Sequence, residues 1–411
     1  MKKKSSHKGA KALVIIIILI AAVAFTLFVP LEILGNILPE TAIEKLTEFR
    51  GYAFELTDEI QQRINGEDNK KYEAYVEPIS RNQTENETSN NIQTQTTEIN
   101  TDITQLASNI EESLSPENLS FQVGKVSEED IQNIVLLIQA EPEFFWLNNH
   151  YSYSGTAGGD ITLMLEAKYS NIEEMQQQID AAADRIISEI PDGAGDYEKA
   201  EIIYSSLINN ITYNHDAANE SDYDIYGALV NKSAVCDGYA KAFKYLLEKA
   251  GVSCSYYAGD ATNTAGSTEG HAWNGAYLEG EYYYFDVTWA DQDDGFVHFD
   301  WFAVTSDEML SSHTPYDIFK MQDTTATGCN YYYRNNMVLY SCDDDSVRNL
   351  FASQGYSVNF KCANKEVFES FKSIMQDEHT VWSLCQDVGI LASKWTYYYI
   401  ENLNMTHISF S

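Results

Sequence analysis

Ser233-Ala234-Val235-Cys236-Asp237-Gly238-Tyr239-Ala240, with the Phe243, Leu246, Ala250 and Gly251 that follow, decides how this chain is read. Cys236, Tyr239, Phe243, Leu246 and Ala250 recur at spacings of three and four, the period of a helix that buries one face, and Gly251 supplies a C-terminal stop. Cys236 falls in the first turn of that helix. It meets backbone N–H groups without helical partners and the positive end of the helix dipole, and both favour a thiolate. Asp237 works against that effect, so a neighbouring imidazolium is required. A cysteine heading a buried helix is also a small core residue in many proteins, and the helix alone does not separate the two readings.

Working outward, Gly270-His271-Ala272-Trp273-Asn274 opens a strand that runs through Leu278. Glu279-Gly280 marks a turn, and Glu281 to Trp289 reads as the returning strand. With a two-residue turn, 278 pairs with 281 and paired positions sum to 559, so His271 faces position 288. Asp286 is then a diagonal neighbour, about 7–8 Å away between backbones. That register lets Asp286 orient the His271 ring and stabilise its charged form; an ordinary amphipathic hairpin with a satisfied histidine is the plainer alternative. Cysteine, histidine and carboxylate from one helix–strand–strand unit are what a thiol nucleophile, its proton carrier and an orienting group need. Trp273 and Trp289 flank the pair and read either as cleft walls or as core aromatics; with Tyr239 they are the candidate cleft residues. Asp291, Asp293 and Asp294 before Gly295 lack the spacing of a calcium loop and read as a solvated acidic turn.

Ala228-Leu229-Val230, Ala234 to Ala240, Gly270 to Asn274 and Phe285-Asp286-Val287-Thr288-Trp289 together resemble the core of bacterial transglutaminase-like proteins. Pro142-Glu143-Phe144-Phe145-Trp146 upstream, and Phe302, Ser306-Asp307-Glu308-Met309 and His313 downstream, look like the same branch, so the resemblance covers roughly 120 to 320. It implies a papain-like α+β core, in which a helix carrying the cysteine packs on an antiparallel sheet carrying the histidine and aspartate. In that pattern Cys236 is the nucleophile, His271 the general base and acid, and Asp286 the orienting carboxylate. The Cys236 backbone N–H is an oxyanion donor, and no second donor is located. The implied activity is acyl transfer through a cysteine thioester on protein or peptide amides, ending in cross-linking, deamidation or hydrolysis, with no cofactor. The rival is a catalytically silent surface binding or assembly protein that keeps the fold.

The rest of the 411 residues supplies context. Lys2, Lys3, Lys4, Lys8 and Lys11 precede Ala12 to Val29, a run whose only polar member is Thr26. That is close to the ~20 apolar residues of a membrane-crossing helix, and the basic flank predicts a cytoplasmic N-terminus with the remainder outside. A cleaved signal peptide, with Ala22-Val23-Ala24 at the cut, is the competing reading. The expected organisation is a basic tail (1–11), a transmembrane signal anchor (12–31), a partly helical then disordered polar stalk (32–118), the transglutaminase-like domain (119–320) and a small α+β accessory domain (321–411). The stalk reading rests on Asn82 to about Ser115, where Asn, Gln, Thr, Glu and Ser displace large apolar residues. The six cysteines form no Cys-x-x-Cys pair and no histidine sits at zinc-ligand spacing, so no structural metal site is expected. Disulfides among Cys329, Cys342, Cys362 and Cys385 are compatible with export, but their pairing is not readable. Acids outnumber bases 62 to 26, for a net charge of -36, which argues against nucleic acid as a partner. The expected partners are protein or peptide substrates, cell-wall peptides among them, and the membrane through the N-terminal helix.

Overall fold

The structure, a computed structural model, describes residues 70–75, 102–155, 159–216, 219–292 and 295–411. The chain divides into Met1–Lys70 with Gly155–Ala157, and Lys71–Ser154 with Gly158–Ser411; the elements below belong to the second unit. The expected basic tail and membrane segment, and the stalk up to residue 69 and from 76 to 101, lie outside the described residues. Among the described residues no helix is long and apolar enough to cross a membrane.

The stalk reading fails at its C-terminal end. Helix α1 (Ile103–Glu111) starts at Asp102, whose carboxylate accepts from the Gln105 N–H at 3.2 Å. It buries Ala107 and Ile110, with Leu114 beyond it and Ile103 and Leu106 packed alongside. These few apolar residues stand at helical spacing, and a core waiting opposite makes such a sparse stripe sufficient. Strand β1 (Ser120–Gly124) and helix α2 (Glu128–Gln139) follow, the latter closed by a reciprocal Ser127–Asp130 capping box. Strand β2 (Ile161–Ala167) pairs antiparallel with β1. Helices α3 (Ile172–Ile187) and α4 (Asp196–Asn210) follow, burying Ile179, Ala183, Ile203 and Tyr204 among others.

Helix α5 (Cys236–Lys249) begins at the cysteine itself. It packs on a four-stranded sheet built from β3 (Cys254–Thr262), β4 (Thr268–Leu278) and β5 (Glu281–Phe285), with β6 (His313–Pro315) added after the short helix α6 (Ser306–Leu310). The order is β6-β3-β4-β5. Asn274 on β4 donates to the Ala240 carbonyl at 3.0 Å, and Phe243, Phe285, Phe302 and Tyr204 close an aromatic core behind it. The hairpin has the expected register, Asn274↔Phe285 to Leu278↔Glu281, around a turn in which Glu279 and Gly280 take φ of 54° and 90°. Its second strand is shorter than expected. It ends at Phe285 because the Asp286 carboxylate accepts from the Trp289 N–H at 3.0 Å, which folds 286–289 into a turn.

The accessory block has its own core, in which Phe351, Phe360, Phe368 and Phe371 are fully buried. That core begins at Leu339, whereas Cys329 and Tyr332, inside the expected 321–411 block, pack with the first domain. Strands β7 (Val338–Leu339), β8 (Ser357–Cys362), β9 (Trp395–Ile400) and β10 (Met405–Phe410) form a sheet of order β7-β8-β10-β9. Helices α7 (Asp344–Gln354), α8 (Lys365–Met375) and α9 (Glu378–Asp387) accompany it. All six cysteines are free thiols.

Candidate active site

Three elements deliver three side chains to one point. Cys236 heads α5, His271 lies near the start of β4, and Asp286 is the first residue beyond β5. Each is buried, Asp286 completely. His271 Nε2 lies 2.8 Å from Asp286 Oδ2, which leaves Nδ1 as the ring nitrogen that can serve the thiol. Burial works against charge on His271, but the Asp286 carboxylate and then Cys236 outweigh it and push the ring up to about 10. Burial likewise disfavours the Asp286 charge, yet His271 and a second histidine hold its carboxyl well below the usual carboxylate range. The pair therefore rests as imidazolium and carboxylate. Asp237, which opposes a thiolate in the linear sequence, is matched by Lys241 at 3.0 Å and by the Tyr256 hydroxyl at 2.8 Å.

The second histidine is His313. Its Nε2 donates to Asp286 Oδ2 at 3.2 Å, and its Nδ1 lies 3.0 Å from Ser312 Oγ and 3.1 Å from the Met309 carbonyl. Burial pushes His313 down, against the pull of Asp286. In the neutral ring with its one hydrogen on Nε2, Asp286 receives that hydrogen and Nδ1 accepts from the Ser312 hydroxyl, the Met309 carbonyl being a close neighbour of Nδ1 and not its partner. Trp289, Trp273 and Trp301 surround it, with ring centroids 4.6, 4.9 and 5.2 Å away. Among the described residues this partner was missed as a functional group. His313 stood in the sequence only as a flanking match, and nothing in the linear pattern says that three residues at 313–315 add a strand to β3.

The candidate cleft residues separate. Trp289 is partly exposed and lies 5.2 Å from the His271 ring, so it borders the site. Trp273 is fully buried and stacks on Tyr257; Tyr239 is fully buried and its hydroxyl donates to Asp291 at 2.7 Å. Both are core aromatics, a correction to their reading as cleft walls, and Asp291 is correspondingly more than a solvated turn residue. Tyr213 and Tyr316 are two tyrosines whose phenols respond to charge at Cys236. Burial pushes both phenols up, helped by charge at Cys236, with Glu269 acting also on Tyr213 and Asp260 on Tyr316.

Among the described residues two groups have donor atoms close enough to share a metal ion: His271, Asp286 and His313, and, away from the thiol, His298, Asp300 and His407. The first group is already committed to the hydrogen bonds above.

The model of the transglutaminase-like superfamily core matches residues 181–301, and the chain carries a domain of that superfamily. Kyphoscoliosis peptidase of Mus musculus is 31% identical over 125 residues, which cover 28% of this chain and 19% of that protein. The Homo sapiens protein is 33% identical over 117 residues, covering 26% of this chain and 18% of its own length. The match thus spans less than a fifth of either relative. A crystal structure of a TGase overlaps 41% of this chain and 49% of its own, at 16% identity and a TM-score of 0.25.

Proposed function

We propose that the protein is a thiol acyl-transfer enzyme of the transglutaminase-like kind, acting on protein or peptide amides. The observation that carries this reading is the buried His271 ring held at 2.8 Å by the Asp286 carboxylate, with Cys236 at the tip of α5 contributing to its raised state. In the proposed sequence the Cys236 sulfur attacks an amide carbonyl, and the C–N bond breaks as the His271 imidazolium passes its proton to the departing amine or ammonia. A thioester remains. The now neutral His271 takes a proton from the acceptor, whose nitrogen or oxygen attacks the thioester and returns the thiolate. Asp286 holds the ring in place and stabilises its cationic state throughout.

The acceptor decides the outcome. An amine yields an isopeptide link; water yields deamidation or peptide hydrolysis, and the name of the mammalian relatives fits the last of these. Glu269 and Asp260, which stand on β4 and β3 next to His271 and whose charges reach Tyr213 and Tyr316, favour a cationic amine as the acceptor. Near-complete burial of the thiol favours a slender group such as a glutamine side chain. We place the domain outside the cell, tethered by residues 12–29, with cell-surface proteins or wall peptides as substrates; protease shaving of intact cells is expected to remove it.

The deciding experiment incubates the protein with a glutamine peptide and a labelled primary amine. Incorporation lost in Cys236→Ala supports transamidation, ammonia release alone supports deamidation, and peptide shortening supports proteolysis. Absence of all three, together with no alkylation of Cys236 by iodoacetamide, leaves the silent binding module.

A further inference from the structure

We infer that His298, Asp300 and His407 form a binding site for a divalent transition metal of the zinc class, placed where the C-terminal block meets the catalytic domain. The three side chains offer one donor atom each within 4.8 Å of one another. Asp300 and His407 are buried and His298 is partly exposed, so the site has one open side. Two of the donors come from the segment after the active-site turn. The third stands on β10 of the accessory sheet.

The hydrogen bonds around the group are those of oriented ligands. His407 Nδ1 lies 3.0 Å from Asn359 Oδ1, a carbonyl oxygen that only accepts, so the ring hydrogen is on Nδ1. In the neutral ring Nε2 then turns a lone pair toward Asp300 Oδ1, 2.9 Å away. Two electron pairs facing each other in a buried setting call for a cation. A proton would serve that pair alone, whereas His298, whose Nδ1 lies 3.5 Å from the Tyr398 hydroxyl, brings a third donor to the same place. A metal uses all three donors, and an imidazole fixed through its other nitrogen by an amide carbonyl is the usual outer-sphere support of a metal-bound histidine. The Tyr332 hydroxyl donates to the same Asp300 oxygen at 2.6 Å and fixes the carboxylate, while Tyr398 stacks flat on His407 with centroids 4.5 Å apart.

The donor set points to the metal. Two imidazoles and a carboxylate suit zinc and its neighbours rather than calcium or magnesium, which prefer all-oxygen cages. Tetrahedral ligands at zinc stand about 3.3 Å apart. The His407–Asp300 pair is near that spacing, and partly exposed His298 must swing inward. Three protein donors leave a fourth position for water on the His298 side. Bound there, the ion staples the accessory sheet to residues 298–300, next to Trp301, which touches both Trp289 and His313.

The test uses the whole chain, titrated with zinc against a chromophoric chelator and, separately, with cobalt followed by its visible absorption. We expect one tight equivalent per chain and the intense cobalt bands of four-coordinate nitrogen–oxygen ligation. His298→Ala should weaken zinc binding at least tenfold, and Asn359→Ala, which removes no ligand, by about 10–100-fold. His313→Gln, at the other three-donor group, should leave it unchanged. Zinc should also raise the melting temperature of the wild type and not that of His298→Ala. The proposal is overturned if zinc binds no more tightly to the wild type than to His298→Ala, or if His313→Gln is the variant that loses it.

Discussion

His313 Nε2 lies 3.2 Å from Asp286 Oδ2, the same carboxylate oxygen that binds His271. With the Trp289 N–H on Oδ1, Asp286 accepts from three donors that arrive from three separate segments, and no freedom is left for its side chain to rotate. A carboxylate fixed in this way fixes the His271 ring in turn, and with it the direction from which the thiol meets its proton partner.

His313 is therefore a positioning residue, and His313→Phe should show it. Phenylalanine fills the tryptophan cage but donates nothing to Asp286. A hydrogen bond to a charged group contributes about 1.5–3 kcal/mol, so kcat should fall roughly tenfold or more, with KM little changed. The acid limb of the pH–rate profile should move toward the ordinary carboxylate range, since Asp286 loses one of the donors that depress it. His313→Gln, which still donates, should recover much of the loss. Equal damage by Phe and Gln, with an unmoved acid limb, would reduce His313 to a packing residue.

The His271–Asp286 pair makes stability depend on pH in a stated direction. His271 is raised above its unfolded value of 6.5, so its contribution is complete below about 6.5 and disappears as pH rises through about 10. Asp286 is depressed, so its contribution is complete above the ordinary carboxylate range and disappears as pH falls through its lowered value. Full benefit thus lies between about pH 4 and 6.5. Urea midpoints of the wild type and His271→Asn should differ most in that window and converge toward pH 10. A gap that stays constant from pH 6 to 10 contradicts the raised value.

The legibility of the chain divides along physical lines. The Cys236 helix and the register that sets Asn274 opposite Phe285 were readable, because a 3.6-residue period and a two-residue turn are local signals. The end of β5 was not: a carboxylate three residues before the expected limit turns back on the Trp289 N–H, and that competition is invisible in a run of aromatic residues. Helix α1 was hidden for the opposite reason, its apolar residues being too sparse to register until a core faces them. Trp273 and Tyr239 sit at positions a cleft or a core would equally occupy, and only packing separates the two. The His298–Asp300–His407 group brings donors together across a domain boundary, which residue spacing cannot report.

Gly238 follows Cys236 by two residues, and the structure gives it a steric reason. A Cβ there would stand 2.6 Å from the Asp222 carbonyl oxygen and 2.9 Å from Ala234 Cβ, both fixed by neighbouring chain. Gly238→Ala must push the tip of α5 away from that backbone, at a cost of about 1–3 kcal/mol for such overpacking. The shift carries Cys236 with it, so alkylation by iodoacetamide should slow by more than the loss of folded protein explains. An alanine variant with wild-type alkylation and melting temperature would mean the helix tip has more room than the geometry allows.

Lys361, on β8 of the accessory sheet, is 3% exposed, yet its ammonium reaches Glu308 at 2.6 Å and the Leu403 carbonyl at 2.9 Å. Glu308 also accepts from the Thr305 N–H at 3.0 Å and so closes the cap of α6, the helix that leads into His313. Lys361→Met leaves this partly buried carboxylate without its cation and should destabilise the protein by about 1.5–3 kcal/mol. Glu308→Gln alone strands the ammonium in its turn. Because each single change penalises the group left behind, the double variant Lys361→Met with Glu308→Gln should cost less than the sum of the two. Activity should fall with Lys361→Met at temperatures where the protein remains folded, since the loosened cap reaches His313 through a few residues. Additive stabilities and unchanged activity would show that the accessory sheet merely rests on the catalytic domain and does not brace the segment carrying His313.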